Sequence, residues 1–244
     1  MRSDLPPTAD ITIIGGGFAG ASTAAALVRA NCKNVLLLEA EPQFGMHATG
    51  LNAAMARHLD QDPTITRMAA AGIASIRDDE AWPGHPVDFG NSGSLLLFSG
   101  AGQEALLAAA DALATTGPIR FRGLDRAAAV ARVSVLQDAD FAGAIETPGD
   151  GVVDIHALLW RYLNSAREGG ARLLPGCPVR EILRQGDRVT GVRTDMGDVS
   201  CPVVVNAAGA WANRVSGLPD LPMKPFRRHL MVTPPLPWVD PRWP

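Results

Sequence analysis

The chain has little cysteine, which excludes several classes of site. Its 244 residues include only three cysteines, Cys32, Cys177 and Cys201, and these lie far apart in the sequence. This number and spacing suit neither a disulfide framework nor a zinc site. We therefore expect reduced thiols and predict no bound metal.

Excess charge and long apolar runs are also scarce. The formal net charge is −3 and there is no long basic run, so we predict no nucleic-acid partner. No apolar run reaches the length of a membrane-spanning helix, and residues 1–7 do not have the charged-then-apolar layout of a signal peptide. We accordingly expect a cytoplasmic protein without a membrane span.

A strand, a glycine turn, a helix and a second strand follow one another near the start of the chain. The apolar run Ile11–Ile14 precedes a Gly-x-Gly-x-x-Gly motif over residues 15–20, and an Ala-rich helix is predicted over about 18–30. A second apolar run, over about 34–39, ends in Glu39, where a ribose-binding carboxylate belongs. This order predicts a βαβ dinucleotide site rather than an empty structural unit.

The three glycines of the motif have separate physical roles. Gly15 allows the tight turn, Gly17 lets the main chain approach a pyrophosphate, and Gly20 lets helix and strand pack closely. The start of the helix favours the negative charge of the phosphates. The prediction is therefore a bound dinucleotide.

The rest of the chain predicts an interrupted α/β pattern. Periodicity indicates helices over roughly 51–60, 64–76 and 104–113 and a strand over 89–98. A further helix follows Asp154 and ends at the glycine pair 169–170.

Three β-rich pieces come next, at 179–184, 189–194 and 199–205, with turn signals between them. They predict an antiparallel meander. A plain NAD domain continues with βα units, whereas flavoproteins of the glutathione-reductase architecture carry such a meander. By analogy with those folds, this favours FAD over NAD.

Three segments resemble one family, in the family's own order. Residues 9–20, 149–158 and 204–212 are similar to motifs of the FAD-dependent D-amino acid oxidase superfamily, which includes glycine oxidase, sarcosine oxidase and dehydrogenase, and dimethylglycine dehydrogenase. The resemblance implies an α/β fold: a Rossmann-like FAD-binding domain with a β-meander, plus an inserted α+β substrate domain that is incomplete at the C-terminus.

The implied domains are discontinuous. The FAD-binding domain would comprise residues 1–80 and 145–216, and the partial substrate domain residues 81–144 and 217–244.

The resemblance also implies an activity. It indicates an FAD-dependent oxidoreductase that oxidises the C–N bond of a small amine or amino acid by hydride transfer to the flavin. Two alternatives stay open. One is a relative that oxidises a hydroxy acid or glycerol phosphate on the same fold. The other is a non-catalytic FAD-binding subunit of a split enzyme.

The residues that the resemblance places against FAD come from five segments. They are Gly15, Gly17, Phe18, Ala19 and Gly20 at the pyrophosphate, Glu39 and Ala40 at the ribose, His47, Ala48, Thr49, Gly50, Leu51 and Asn52 along the ribityl chain, Val179 at the adenine, and Ala207, Ala208, Gly209 and Trp211 closing over the pyrophosphate. Ala40 stands where an arginine would accompany a 2′-phosphate, so NADP is not indicated.

His47 has two interpretations. Its loop resembles the one in which dimethylglycine and sarcosine dehydrogenases carry a histidine bonded covalently to FAD. An unprotonated imidazole nitrogen is a suitable nucleophile for the flavin methyl carbon. The alternative is a histidine that hydrogen-bonds near the flavin without a covalent bond.

The basic run Arg227, Arg228 and His229 also has two interpretations. In the family this region is a substrate-domain strand that reaches toward the flavin, and an arginine there can pair with a substrate carboxylate. Arg228 and His229 are therefore the catalytic candidates. The alternative is a solvated charge cluster.

The matched portion stops just after a strand expected to begin near Phe226, whereas family members are longer. The chain would then be half of a split enzyme, a truncated product or a stand-alone remnant. We favour the first two and expect a second chain or a missing C-terminal segment to complete the fold, because a sheet cut in mid-order leaves an exposed edge.

Overall fold

The computed structural model describes residues 5–60, 62–100, 120–217, 222–240 and 242–244. The α-helices in these ranges are α1 (Phe18–Arg29), α2 (Pro63–Arg77), α3 (Arg126–Arg132), α4 (Ile155–Glu168) and α5 (Ala212–Ser216). Single 3₁₀ turns occur at Ser134–Asp138 and Gly209–Trp211. The β-strands are β1 (Ile11–Ile14), β2 (Val35–Leu38), β3 (Met55–Ala56), β4 (Phe89–Gly90), β5 (Ser94–Phe98), β6 (Arg122–Asp125), β7 (Gly143–Thr147), β8 (Gly151–Val153), β9 (Arg172–Leu174), β10 (Val179–Gln185), β11 (Arg188–Thr194), β12 (Gly197–Ser200) and β13 (Val203–Asn206).

The chain divides into two compact units. The first comprises Met1–Asn52 and Ile155–Leu230, and the second Ala53–Asp154 and Met231–Pro244. These boundaries differ from those of the predicted domains, which changed near residues 80, 145 and 216. The assignment of residues to an FAD-binding and a substrate domain therefore stays a prediction.

A parallel sheet in the order β13-β1-β2-β9 forms the centre of the first unit. All four residues of β2 are buried. A strand without polar alternation is typical of a parallel sheet that is covered on both faces.

One face of this sheet is covered by helices. Ala21 of α1 packs with Leu159 and Leu163 of α4, and Leu173 of β9 joins this cluster. Because α1 presents alanines to α4, the two helices can approach closely over the sheet.

The other face is covered by the predicted meander, β10-β11-β12, whose strands are antiparallel. Leu36 and Leu38 of β2 pack with Ile182, Val192 and Val199 of the meander. The result is a helix–sheet–meander sandwich, and it confirms the predicted α/β class with a β-meander.

The predicted third strand of the meander, at 199–205, is wrong. Residues 197–200 form β12 of the meander, whereas Val203–Asn206 form β13 and pair in parallel with β1. Cys201 and Pro202 separate the two strands. Proline has no N–H to donate to a strand ladder, so the chain leaves one sheet and enters the other at this point.

The predicted helix over 51–60 is also wrong. Ala54 has a φ of 59°, which is incompatible with a continuous right-handed helix. Met55 pairs instead with Val152 as the short strand β3. The predicted helix over 64–76 is confirmed as α2, and the one over 104–113 lies outside the described residues.

Two small antiparallel sheets make up most of the second unit, with orders β3-β8-β4 and β5-β7-β6. All five residues of β7 are buried. Ala144 of β7 packs with Ala129 of α3 and with Phe141. The strand predicted over 89–98 is two strands, β4 and β5, because residues 91–93 turn away between them.

Residues 222–236 contain no strand, so the strand expected near Phe226 is not found in this part of the chain. Met231 and Val232 are 93% and 94% exposed. A segment without a neighbouring strand forms no inter-strand hydrogen bonds and buries little apolar surface.

Within the described residues, no helix combines the length and apolarity that crossing a bilayer requires.

Candidate dinucleotide-binding site

The turn between β1 and α1 depends on glycine at its first position. Gly15 has a φ of +105°, and a Cβ atom there would lie 2.4 Å from the carbonyl oxygen of Ala207. The Gly15 N–H donates to the carbonyl of Leu38 at 2.8 Å. Both conformation and space therefore exclude a side chain at Gly15.

The start of α1 lies directly against this turn. A Cβ atom on Gly20 would lie 1.8 Å from the carbonyl oxygen of Gly15. Gly17 is the N-cap of α1 and has no side chain to cap the helix. The Phe18 N–H donates instead to the Thr49 hydroxyl at 3.0 Å. The first turn of α1, which includes Ala19, carries no acidic residue.

Glu39, the predicted ribose-binding acid, lies beside the glycine turn. Its Oε2 accepts a hydrogen bond from the Gly16 N–H at 2.6 Å, and its Oε1 accepts one from the Glu41 N–H at 2.9 Å. Ala40 follows and is exposed. The carboxylate is therefore held by main-chain donors next to the pyrophosphate position predicted from the motif.

The loop that follows places His47 beside Glu41. The His47 Nε2 lies 2.8 Å from Oε1 of Glu41. The His47 and Trp211 ring centroids are 4.5 Å apart, with planes tilted by 48°. Two predicted residues that are distant in sequence thus meet at one edge of the site.

The remaining predicted residues of this loop form a short turn around Asn52. The Asn52 amide donates to the carbonyls of Ala48 and Thr49. Gly50 and Leu51 lie within the turn, and both main-chain N–H groups donate to the His47 carbonyl. The side chain of Asn52 therefore stabilises the loop that carries His47.

The loop after β13 is organised by Asn206. Ala207 continues the parallel pairing, because its N–H donates to the carbonyl of Ile14 at 2.9 Å. Asn206 donates to the Ala212 carbonyl at 2.9 Å and accepts from the Ala208 N–H at 3.2 Å. The 3₁₀ turn that starts at Gly209 is thereby held at the end of β13.

Two polar residues of this arrangement were not among the predicted contacts. Asn206 could have been found from its place after an apolar strand, where a side chain often closes the turn. No helical or strand periodicity in the sequence predicts the contact between Glu41 and His47. This contact depends on a loop that local patterns do not specify.

The positions of the other predicted residues indicate less about their roles. Val179 is buried in the core and pairs with Thr194 in the meander, so its side chain is not available to a ligand. Arg228 and His229 are exposed, and neither forms an ion pair within the described ranges. Nor do any three His, Cys, Asp or Glu residues in those ranges cluster as metal ligands.

The residues present fit a dinucleotide. The glycine cradle at Gly15 and Gly20 is main chain packed too closely for any Cβ atom, and α1 begins at the same turn without an acid in its first turn. Helix N-termini of this kind bind phosphate groups, and the Glu39 carboxylate lies at the sequence spacing of a ribose-binding acid and accepts a hydrogen bond from the Gly16 N–H of the turn.

The sequence from residue 10 to residue 244 matches the family model described as FAD dependent oxidoreductase. The chain belongs to this family. The family is FAD-dependent, so FAD is the dinucleotide that its members bind at a site of this kind.

Two curated relatives illustrate the similarity. The hydrogen cyanide synthase subunit HcnC of Pseudomonas aeruginosa is 42% identical over 95 residues, which cover 37% of this chain and 23% of the relative. The 4-methylaminobutanoate oxidase (formaldehyde-forming) of Paenarthrobacter nicotinovorans is 30% identical over 207 residues, which cover 85% of this chain and 25% of the relative. This chain spans about a quarter of the length of these relatives.

A solved structure confirms the fold. The L-proline dehydrogenase from P. horikoshii superposes with a TM-score of 0.74 at 23% identity, over 86% of this chain and 55% of that chain.

Proposed function

We propose that this chain supplies the FAD-binding part of an oxidoreductase that oxidises the C–N bond of a small amine or amino acid. The observation that carries the proposal is the glycine cradle at Gly15 and Gly20 with the Glu39 carboxylate beside it, in a chain of an FAD-dependent family. When bound, FAD accepts a hydride from the substrate carbon next to nitrogen.

The pyrophosphate part of the site is built from main chain. The Phe18 N–H already donates to the Thr49 hydroxyl, but the N–H groups of Gly17 and Ala19, at the start of α1, have no partner within the helix. We assign to them the binding of the pyrophosphate charge, with the glycines providing space. Glu39 accepts hydrogen bonds through both oxygens, and it has the lone pairs to accept one more from a ribose hydroxyl.

His47 is the side chain that we assign to the flavin side of the site. An ionised Glu41 can only accept, so a neutral His47 carries its proton on Nε2 and keeps its lone pair on Nδ1. Glu41 therefore orients the ring and selects the tautomer. Packing against Trp211 holds the ring from one side.

Acid precipitation tests whether His47 bonds FAD covalently. Yellow colour that stays with the precipitated protein, and is lost in His47→Ala, supports the covalent hypothesis. Colour released into the supernatant contradicts it and leaves His47 as a noncovalent contact. Glu41→Gln is the matched variant, since it keeps the side-chain shape but removes the carboxylate that selects the tautomer.

Substrate oxidation is proposed to need a further segment, in the same or in a second polypeptide. The support is the coverage, because the matched part of L-proline dehydrogenase is 55% of that chain, and one relative, HcnC, is a hydrogen cyanide synthase subunit. Arg228 and His229 remain the candidates for substrate contact. A cytoplasmic location is proposed from the three free cysteines.

Flavin bleaching tests the activity. FAD-loaded protein, alone and with any completing segment, is mixed anaerobically with glycine, sarcosine, 4-methylaminobutanoate or D-amino acids while the visible flavin absorbance is followed. Bleaching by these amines supports the proposal. Bleaching only by hydroxy acids or glycerol phosphate indicates the alternative oxidation, and failure of every substrate to bleach the flavin indicates a non-catalytic FAD-binding role.

A further inference from the structure

The second unit contains a cavity of about 410 Å³ that plays no part in the dinucleotide site. Arg122 from β6, Arg132 from the end of α3 and Glu146 from β7 contribute to its wall, together with Arg120 and Phe121. Arg122 and Glu146 belong to the β5-β7-β6 sheet, and Arg132 ends the helix that packs against it.

Glu146 is the buried anchor of this wall. Its side chain is only 3% exposed, and its Oε1 accepts a hydrogen bond from Nε of Arg132 at 2.8 Å. Its Oε2 accepts one from Nε of Arg122. Burial opposes ionisation of Glu146, but the two arginine hydrogen bonds outweigh it and hold the pKa of the carboxyl below its ordinary value.

The charge of the wall is therefore not balanced. One glutamate and three arginines line the cavity, which leaves a surplus of positive charge there. Each guanidinium has five N–H donors. Within the described residues, Arg122 and Arg132 use only their Nε donors, on Glu146, and Arg120 forms no hydrogen bond or ion pair.

These unused donors can be reached from solvent. The side chains of Arg122 and Arg132 are 64% and 46% exposed, although their Nε atoms are fixed by a buried carboxylate. Glu146 thus holds two guanidinium groups in place at the cavity, which reduces the entropy lost when they bind a ligand. Arginine held in this way favours carboxylate or phosphate oxygens over other acceptors.

Apolar walls distinguish between these anions. Phe121 is half-buried and lines the cavity with Pro148. Such a surface is of no use to a hydrated inorganic ion, but it removes the apolar part of an organic ligand from water. We propose that this cavity binds a small organic anion through a carboxylate, with Arg120, Arg122 and Arg132 as donors and Phe121 against its apolar part.

The proposal concerns residues of the second unit alone and does not rest on the proposed function. It is tested by calorimetric titration of FAD-loaded protein with hexanoate at low ionic strength. Arg120→Gln is the main variant because Arg120 does not hold Glu146. Arg57→Gln is the control, since Arg57 is an exposed arginine of the same unit outside the cavity.

Hexanoate is expected to bind the parent protein and Arg57→Gln equally and to bind Arg120→Gln about tenfold more weakly, the usual effect of losing one charge-assisted hydrogen bond. Added salt should weaken binding further. Equal affinity in the two variants, or no binding at all, would overturn the proposal.

Phe121→Ala separates the organic ligand from a simple ion. It should weaken hexanoate binding severalfold and leave acetate binding unchanged, because only the longer ligand reaches the apolar wall. If inorganic phosphate bound the parent protein as tightly as hexanoate did, and Phe121→Ala affected neither, the carboxylate assignment would be wrong.

Discussion

The two sites of this chain are built from opposite materials. The candidate dinucleotide site of the first unit is made of main chain that leaves no room for a side chain at Gly15 or Gly20, with Glu39 as its acid. The cavity of the second unit is made of charged side chains fixed by Glu146. The first type of site is destroyed by adding atoms, and the second by removing them.

Gly20→Ala should have the largest effect, because it adds an atom where the first unit has no room. The new Cβ atom would lie 1.8 Å from the main-chain oxygen of Gly15, which no side-chain rotation can relieve. We expect loss of FAD and destabilisation by about 3 kcal/mol or more. Flavin content after purification and the urea midpoint measure both effects.

Gly72→Ala is the matched control for that substitution. Gly72 lies within α2, and a Cβ atom there would meet nothing within 4 Å. Alanine is a better helix former than glycine, so we expect stabilisation of about 0.5 to 1 kcal/mol. Equal behaviour of the two alanine variants would contradict the close approach at Gly20.

Asp150→Ala tests the dependence of the second unit on buried side chains. The Asp150 carboxylate accepts from the N–H of His58 at 2.9 Å and from the Ser94 hydroxyl at 2.5 Å, and it lies 2.6 Å from Nδ1 of His58. Its removal leaves several buried polar groups unpaired, at a cost of about 3 kcal/mol. Chemical denaturation should show this loss, and Asp140→Ala, at an exposed position of the same unit, should change stability by less than about 0.5 kcal/mol.

Glu146→Gln should have the smallest effect, and it should depend on pH. The folded-state pKa of Glu146 lies below its ordinary value of 4.5, so its ion pairs stabilise the fold above that pH and are lost as the pH falls through the folded-state pKa. Because both arginines are partly exposed, we expect the variant to lose only about 1 kcal/mol at neutral pH.

The difference between parent and Glu146→Gln should shrink as the pH is lowered from 5 toward acid, as measured by urea unfolding at each pH. Glu181→Gln serves as the control, because Glu181 pairs with Arg193 at the surface, where both side chains are more than half exposed. A pH-independent difference for Glu146→Gln would show that the carboxylate contributes through shape and not through charge.

The glycine turn beside Glu39 could be predicted from the sequence because its requirements are local. The glycines at 15, 17 and 20 indicate where the main chain approaches a neighbour closely or adopts an unusual conformation. Glu39 follows at the end of the next strand. The division of 199–205 between two sheets was missed because apolarity extends across it, and only Pro202 marks the change.

The arginine cavity could not be predicted. Arg120 and Arg132 have ordinary sequence surroundings, and their significance arises from Glu146, which is buried only once β6 and β7 have paired. Side-chain sites of this kind depend on tertiary contacts, for which a single sequence carries no periodic signal.

The pairing of β1 with β13 has a consequence for synthesis. Ile14 is joined to Asn206, so one side of the central strand lacks its neighbour until about 190 further residues have been made, or about 10 to 40 seconds at the usual rates of translation. The first segment of the second unit, Ala53–Asp154, is translated in this interval. The glycine turn after β1 is therefore translated long before the strand that completes its sheet neighbourhood.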